Sequence, residues 1–432
     1  MSNSGYQAPL GTEDILPDKI GLWRFVEDTA RTILGRYGYS EIRTPIFEYT
    51  SLFNRSIGEV TDIVEKEMYT FQRNSDDKDD KDSITLRPEL TAPVVRAYLE
   101  HNLDKIKRFQ KLYYIGPLFR HERPQKGRKR QFHQMGVEAL GSTDYLLDVE
   151  VIDLAMSYFE ALGIKDCQLK INSIGCPACR DVYREVLKKS LDKHKPSLCA
   201  SCQERYQRNI FRILDCKKPD CRKAAGTVET FEKYLCPDCR QHFDGVKAGL
   251  DAVGVKYQVS AQLVRGFDYY TRTIFEITHG SLGAQDALCG GGRYDNLVQE
   301  LGGEPTGAVG FALGLERTIL ALEALQVSVP ANPTPGVYII TTGQAHRAVA
   351  FKLLKELRKR GVSADMDFEI KSVKAQFRSA DKSGARFVAT IGDDEARNNT
   401  VKLKDMARSE EKEINIQEFL TDKSINDLIG QK

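Results

Sequence analysis

The chain has 432 residues, with 63 Lys+Arg against 61 Asp+Glu and a formal net charge of +2. That length allows two to four ordinary domains with substantial cores, so nothing here needs a covalent staple to fold. Near-neutrality excludes a protein that grips nucleic acid through its global charge, and no segment approaches the roughly 20 consecutive apolar residues of a membrane span. Met1 to Leu10 has neither a basic start nor an apolar stretch, which predicts a cytoplasmic location and no membrane association. In that reducing compartment the 10 cysteines point to metal or redox chemistry more than to disulfides.

In chain order, Ile20, Trp23, Val26, Ala30, Ile33 and Leu34 recur near a 3.6 period and predict an amphipathic helix over 20–37, ended by Gly35 and Gly38. Glu41 to Phe47 reads as extended around Pro45. Glu67 to Phe71 and Ser83 to Arg87 flank the charged tract Asp76 to Asp82 and predict a hairpin with a solvated loop. Leu112 to Arg120 and Arg130 to Gly136 predict a second hairpin around the loop His121 to Lys129. Cys176 to Phe243 is Cys-rich, basic and helical in pattern, and has the look of an insertion. Strand texture resumes at Val255 to Gly266 and Thr271 to Thr278, followed by Gly290-Gly291-Gly292 and a strand-to-helix passage from Ala308 to Leu325.

Three prolines in Pro330 to Pro335 mark a domain boundary. Beyond it the pattern alternates: strand Val337 to Thr341, helix Ala345 to Arg360, strand Val362 to Asp367, helix Val373 to Lys382, strands Arg386 to Ile391 and Thr400 to Leu403, and helix Ile416 to Leu428. That is a small α/β domain, whereas the hairpins and interspersed helices before it form an α+β arrangement. The implied domains are 1–175 and 254–325 as two parts of one catalytic unit, 176–253 as the insertion, 326–335 as linker and 336–432 as the α/β domain.

Chemistry concentrates in a few places. Arg120, Arg123, Lys126, Arg128, Lys129 and Arg130 make the second hairpin's loop strongly positive, and the planar arginine fork suits phosphate oxygens. A charged tip in plain solvent would explain the loop too, but its apolar flank, Tyr113 to Phe119, favours function. Period two puts Gln134 and Glu138 on one face, roughly 13 Å apart, as a polar pocket floor. Gly307, Gly310 and Gly314 lead into Glu316-Arg317, where absent side chains let a planar ring or phosphate approach the sheet and a cation opens the helix. Neither a Gly-Lys-Ser/Thr phosphate loop nor GxGxxG occurs, so any nucleotide site is of another type. Leu263 to Glu276 crowds Arg265, Asp268, Tyr269, Tyr270 and Glu276 into a short extended run, more hydrogen-bonding groups than a dry core strand carries; an exposed edge strand is the competing explanation.

Cysteines pair as Cys176/Cys179, Cys199/Cys202, Cys216/Cys221 and Cys236/Cys239, enough thiolates for two tetrahedral zinc sites, with the combination of pairs left open. The insertion's few large apolar residues suggest that metal contributes to its folding. Cys167 and Cys289 stand alone and read as small buried hydrophobes.

Together these segments resemble the histidyl-tRNA synthetases of the class II aminoacyl-tRNA synthetase family. YIGPLFRHERPQKGRKRQFHQMGVE resembles the second class motif and AVGFALGLER the third, while LVRGFDYYTRTIFE, LCGGGRYDNL and TLRPELT resemble stretches specific to the histidine enzymes. Tyr37 to Phe71 resembles the dimer-forming first motif more loosely. The resemblance implies a class II antiparallel-sheet catalytic domain and a C-terminal anticodon-binding α/β domain; the Cys-rich, mainly helical insertion is not general to the family, and its zinc reading rests on the cysteine spacing. It also implies ATP, with Mg2+, and L-histidine as substrates, a histidyl-adenylate intermediate, tRNA as acceptor, and a homodimer.

Carried over by position, Arg120 and Arg317 resemble the arginines that grip the phosphates of a bent ATP, with Arg128 beside them. Glu89, Thr91, Gln134 and Glu138 match contacts to histidine, and Tyr269 and Tyr270 match residues near its imidazole. Arg265 matches the catalytic arginine at the α-phosphate, with Asp268 placed to orient it or the substrate. Leu90-Thr91 departs from the Gly-Thr of many relatives. Two other readings compete: a regulatory subunit of histidine biosynthesis without ligase activity, and a structural nucleic-acid-binding module.

Overall fold

The computed structural model describes residues 5–57, 63–72, 83–125, 127–283, 286–328 and 334–421. The charged tract Asp76 to Asp82, Lys126, linker residues 329–333 and the end of the last expected helix lie outside them. The chain divides into two compact units, Met1–Pro330 and Ala331–Lys432.

The first unit is built on an eight-stranded sheet. Its spatial order is Ser40–Glu41, Gln110–Phe119, Gln131–Leu140, Ala308–Gly314, Ala287–Arg293, Thr271–Thr278, Gln168–Ser173, Tyr257–Val259. The six central strands pair antiparallel, and each short edge strand pairs parallel to its neighbour. The helix Ile20–Arg36 lays Trp23, Val26, Ala30, Ile33 and Leu34 on the core, as the period predicts, and the positive φ of Gly38 (76°) turns the chain away. The helix Tyr145–Ala161, capped by the Asp144 side chain, buries Leu147, Val151, Ile152 and Leu154 in the same core.

The insertion has a topological reason. Gln168–Ser173 pairs parallel with Tyr257–Val259, and parallel neighbours need a long crossover. Residues between them supply it as helices Pro177–Leu191, Ala200–Arg208, Pro219–Ala225 and Pro237–Ala252. This segment is less apolar-poor than its sequence suggests. Tyr183 packs against Phe231 (centroids 4.4 Å apart), and Leu187, Leu191 and Ile213 are fully buried, continuous with the core under the sheet. The insertion therefore has an apolar core of its own.

A small three-stranded sheet, Phe47–Tyr49, Ile84–Leu86, Tyr69–Phe71, realises the first hairpin. The expected strand Val255 to Gly266 is confined to Tyr257–Val259, and 260–270 is an irregular loop. Its path is fixed at long range, with Asn172 Nδ2 donating to the Leu263 carbonyl at 3.0 Å.

The second unit is a five-stranded sheet ordered Ala364–Met366, Val337–Thr341, Phe387–Ile391, Thr400–Asp405, Glu411–Asn415. Helix Arg347–Lys359 packs with one core and helix Val373–Ser383 with another, one per face. The helix Asp393–Asn398 and the strand Glu411–Asn415 are additions to the expected order, and the last described helix is only Ile416–Phe419.

Candidate active site

A cavity of about 140 Å³ opens on the sheet of the first unit. Its floor is the strand Gln131–Leu140, whose alternation brings Gln134 and Glu138 to the cavity together, as period two predicts. Glu138 is buried with three hydroxyl donors around it: Thr91 at 2.7 Å, Tyr114 at 3.4 Å, and Tyr294 in a short hydrogen bond to the other oxygen. Gly310 sits directly across the ladder, and a Cβ there would fall 2.2 Å from Glu138 Oε2, so the glycine makes room for the carboxylate. Burial pushes the Glu138 carboxyl up to about 8, against the hydroxyls that favour its charged form.

Glu89 also lines the cavity, but its oxygens accept from the backbone N–H groups of Thr91 (2.6 Å) and Ala92 (2.9 Å). It thereby satisfies the start of helix Thr91–Glu100, and burial raises its carboxyl to about 7.

The opposite wall comes from the irregular loop. Phe267 stacks on Tyr269 with centroids 5.2 Å apart and planes 10° apart, while Tyr270 lies 4.7 Å from Tyr269. Arg265 reaches Glu276 Oε2 at 3.1 Å, and its buried Nε has no hydrogen-bond partner among the described residues. Register places Glu276 opposite Gly290, and the guanidinium lies over that glycine, whose Cβ would come 2.2 Å from Nη2. Asp268 does not orient Arg265. Its carboxylate accepts from Asn209 Nδ2 (2.9 Å) and its carbonyl from Arg180 (3.1 Å), both in the insertion, so the orienting carboxylate is Glu276.

The three other expected arginines are not gathered equally. Arg120 lines the cavity, with Nε donating to the Pro88 carbonyl at 2.8 Å and its guanidinium 5.2 Å from the Phe132 ring centroid. Arg128 and Arg317 stand outside the enclosed volume. Arg128 is exposed, 3.3 Å from Glu122, and Arg317 donates Nε to the Ala287 carbonyl at 2.7 Å. They belong to one neighbourhood, since a Cβ on Gly127 would lie 3.8 Å from Arg317 Nη1. Burial lowers the Arg120 and Arg317 guanidinium pKa values, as expected of cations held out of water.

Tyr114, Tyr294 and Phe267 are cavity residues that the sequence reading missed. Tyr114 shares strand parity with Arg120, a signal that was available. Tyr294 follows the Gly290-Gly291-Gly292 run directly, but nothing local in the sequence aims it at Glu138.

The eight paired cysteines close into two quartets, Cys176/Cys179/Cys236/Cys239 and Cys199/Cys202/Cys216/Cys221. The first and last pairs meet across the insertion, and the two middle pairs combine between them as a nested quartet. In each quartet all four sulfurs lie within 4.8 Å of one another, with Sγ–Sγ distances of 3.6 Å for Cys176–Cys179 and 4.0 Å for Cys199–Cys216. A tetrahedral ion with bonds of about 2.3 Å sets sulfurs about 3.8 Å apart. The backbone N–H of Cys236 donates to Cys179 Sγ (3.2 Å) and that of Cys199 to Cys221 Sγ (3.3 Å), bonds that favour thiolates. Cys289 is buried and Cys167 half-buried, with burial raising the Cys167 thiol to about 11.

A largely antiparallel sheet carrying a buried acidic pocket, flanked by arginines and followed by a separate α/β unit, defines the class II aminoacyl-tRNA synthetase fold. The family profile described as Histidyl-tRNA synthetase matches residues 11–318, and that described as Anticodon binding domain matches 336–422. The chain belongs to the histidyl-tRNA synthetase family. It is 48% identical over 412 residues to the histidine–tRNA ligase of Desulforamulus reducens, covering 95% of this chain and 97% of the relative. It is 50% identical over 408 residues to that of Halothermothrix orenii, covering 94% and 96%. The solved apo histidyl-tRNA synthetase of S. aureus superposes with a TM-score of 0.80 at 37% identity, covering 96% of this chain and 98% of that one. Among the described residues, no helix is long and apolar enough to cross a membrane.

Proposed function

We propose that this cavity activates L-histidine with ATP and that the same site passes the histidyl group to tRNA. The observation that carries the reading is the pairing, in one small cavity, of buried carboxylates with an arginine whose Nε has no partner among the described residues. At about 140 Å³ the cavity lies below the roughly 300–1,000 Å³ that encloses a drug-sized ligand, so it suits an amino acid with the nucleotide lying outside.

Glu138, Thr91 and Glu89 offer acceptors for an ammonium group, with Gln134 on the same floor, and Tyr269 and Tyr270 offer faces and hydroxyls to an imidazole. Attack of the histidine carboxylate on the α-phosphate builds charge on the phosphoryl oxygens, and a preorganised guanidinium at Arg265 stabilises that charge more than the ground state. Arg120 is placed for the α-phosphate, and Arg317 with Arg128 for phosphates further out. Proton balance needs no general base, because the attacking carboxylate is already ionised. Mg2+ would enter with the nucleotide: among the described residues the metal-capable groups are the cysteine quartets, and Mg2+ usually keeps substrate phosphates and water as ligands. The quartets fit zinc.

The chain acts in the cytoplasm as a homodimer. Ile46, Phe47, Tyr49 and Phe71 cluster on and beside the small sheet with about half their surface exposed, an apolar face suited to a second copy. Amino-acid-dependent pyrophosphate exchange followed by tRNA charging tests the function. Exchange with histidine alone, and charging of histidine-accepting tRNA, are the expected results. Binding of histidine without exchange would instead favour the regulatory reading.

A further inference from the structure

Two side chains of the insertion, one beside each cysteine quartet, hydrogen-bond to Asp268 in the loop that carries Arg265, Phe267, Tyr269 and Tyr270. Arg180, next to Cys179 of the outer quartet, donates to the Asp268 carbonyl at 3.1 Å. Asn209 donates to the Asp268 carboxylate at 2.9 Å, from the end of the helix Ala200–Arg208 that begins at Cys199 of the inner quartet. The outer quartet is also tied to the strand just beyond the loop: the backbone N–H of Arg272 donates to the Gly175 carbonyl at 2.8 Å, one residue before Cys176. A Cβ on Gly175 would lie 2.5 Å from Cys179 Cβ, so this junction is closely packed.

Elsewhere the loop is tied to the sheet by the Ser260 N–H on the Ile171 carbonyl, by Asn172 on the Leu263 carbonyl and by Arg265 on Glu276, and Leu263, Tyr269 and Tyr270 are buried in the core beside it. Its aromatic residues form a wall of the histidine cavity. Between Leu263 and the buried Tyr269, the exact position of the Asp268 turn depends on whatever fixes Arg180 and Asn209. Arg180 and Asn209 each stand on a helix whose first turn is a pair of potential metal ligands.

We infer that zinc in the two quartets braces the active-site loop through Arg180 and Asn209, making the insertion a positioning element for histidine binding. This rests on the zinc reading given above. Arg180 and Asn209 act through Asp268 and touch no substrate. Without metal the cysteine pairs lose their shared bonds, Arg180 and Asn209 shift within the insertion, and the Asp268 turn that sets the fine placement of Tyr269 and Tyr270 shifts with them.

The test uses the full-length protein and four variants, Asn209→Ala, Arg180→Ala, Asp268→Ala and Asp268→Asn, with zinc content, melting temperature and exchange kinetics measured on each. Asn209→Ala should keep two zinc ions per chain and raise KM for histidine about tenfold, on the scale of one hydrogen bond to a charged group. Its kcat and its KM for ATP should stay within about twofold. Asp268→Ala should behave alike, while Asp268→Asn, which keeps an oxygen to accept from Asn209, should restore most of the affinity. Chelation should raise KM for histidine more in the parent protein than in Asn209→Ala, which has already lost one of the two anchors. Parent protein purified without chelator and free of zinc would overturn the zinc reading and the brace with it. Zinc present at full content, with KM for histidine unchanged in Asn209→Ala and Asp268→Ala, would overturn the brace alone.

Discussion

Gly290→Ala perturbs the proposed chemistry without touching any charged group. Gly290 has no strained backbone conformation, so alanine can occupy the strand, yet its Cβ would lie 2.2 Å from Arg265 Nη2 and 2.4 Å from Cζ. Ordinary contact begins near 3.4 Å, so the guanidinium must retreat by about 3.4 − 2.2 = 1.2 Å. The displaced atoms are the far end of a flexible side chain, which limits the cost to the fold to about 1 kcal/mol. A misplacement of roughly 1 Å in a positioning group costs about a hundredfold in rate, close to 2.7 kcal/mol of barrier. Histidine-dependent pyrophosphate exchange is the assay, with a thermal melt as control. Exchange should fall about a hundredfold while the melting temperature shifts by only a few degrees. A variant that exchanges normally would refute the argument that Arg265 acts from the position it occupies over this glycine.

Glu138→Gln keeps the shape but loses the charge, and should raise KM for histidine about 10- to 100-fold in exchange assays, the worth of a charged hydrogen bond. Because the Glu138 carboxyl lies near 8, it holds its proton at pH 7, and an arriving ammonium favours its ionisation. Histidine binding should thus release protons around neutral pH and tighten as pH rises toward 8; calorimetric heats that do not vary with buffer ionisation enthalpy would contradict this. Truncation after Leu325 should abolish tRNA charging while sparing most of the exchange activity, and equal loss of both would reject the division of labour. Within the second unit, Phe368 and Ile370 are exposed on a loop whose carbonyls are held by Arg347, a surface suited to stacking unpaired bases, so Phe368→Ala should weaken charging and leave exchange intact. Sedimentation should find a dimer at micromolar concentration; a monomer alone would contradict the reading of the apolar face around Phe47 and Tyr49.

Periodic segments were legible in the sequence because burial on one face imposes a repeat. Helix Ile20–Arg36 and the long hairpin Gln110–Phe119 with Gln131–Leu140 follow that rule, and period two alone brought Gln134 and Glu138 together. The reading of strand over Val255 to Gly266 extended too far because the loop's path is set by Asn172, Arg180 and Asn209, all distant in sequence. The edge strand Glu411–Asn415 escaped notice because its face is mostly exposed and its residues are charged. Cysteine spacing revealed ligand pairs but not their combination, since nesting is decided by the crossover that joins two parallel strands. Glu276 was legible as polar, but its role as partner of Arg265 depends on its register with Gly290.

The most direct measurement is the single-turnover rate of adenylate formation in Arg265→His. An arginine that stabilises charge at the α-phosphate predicts a fall of about two to three orders of magnitude, the scale of losing one transition-state donor. ATP affinity and melting temperature should stay nearly unchanged. Since Arg265 also pairs with Glu276 at 3.1 Å, a purely structural arginine predicts the reverse: a variant that melts early yet, once folded, forms adenylate at the normal rate would contradict the catalytic assignment.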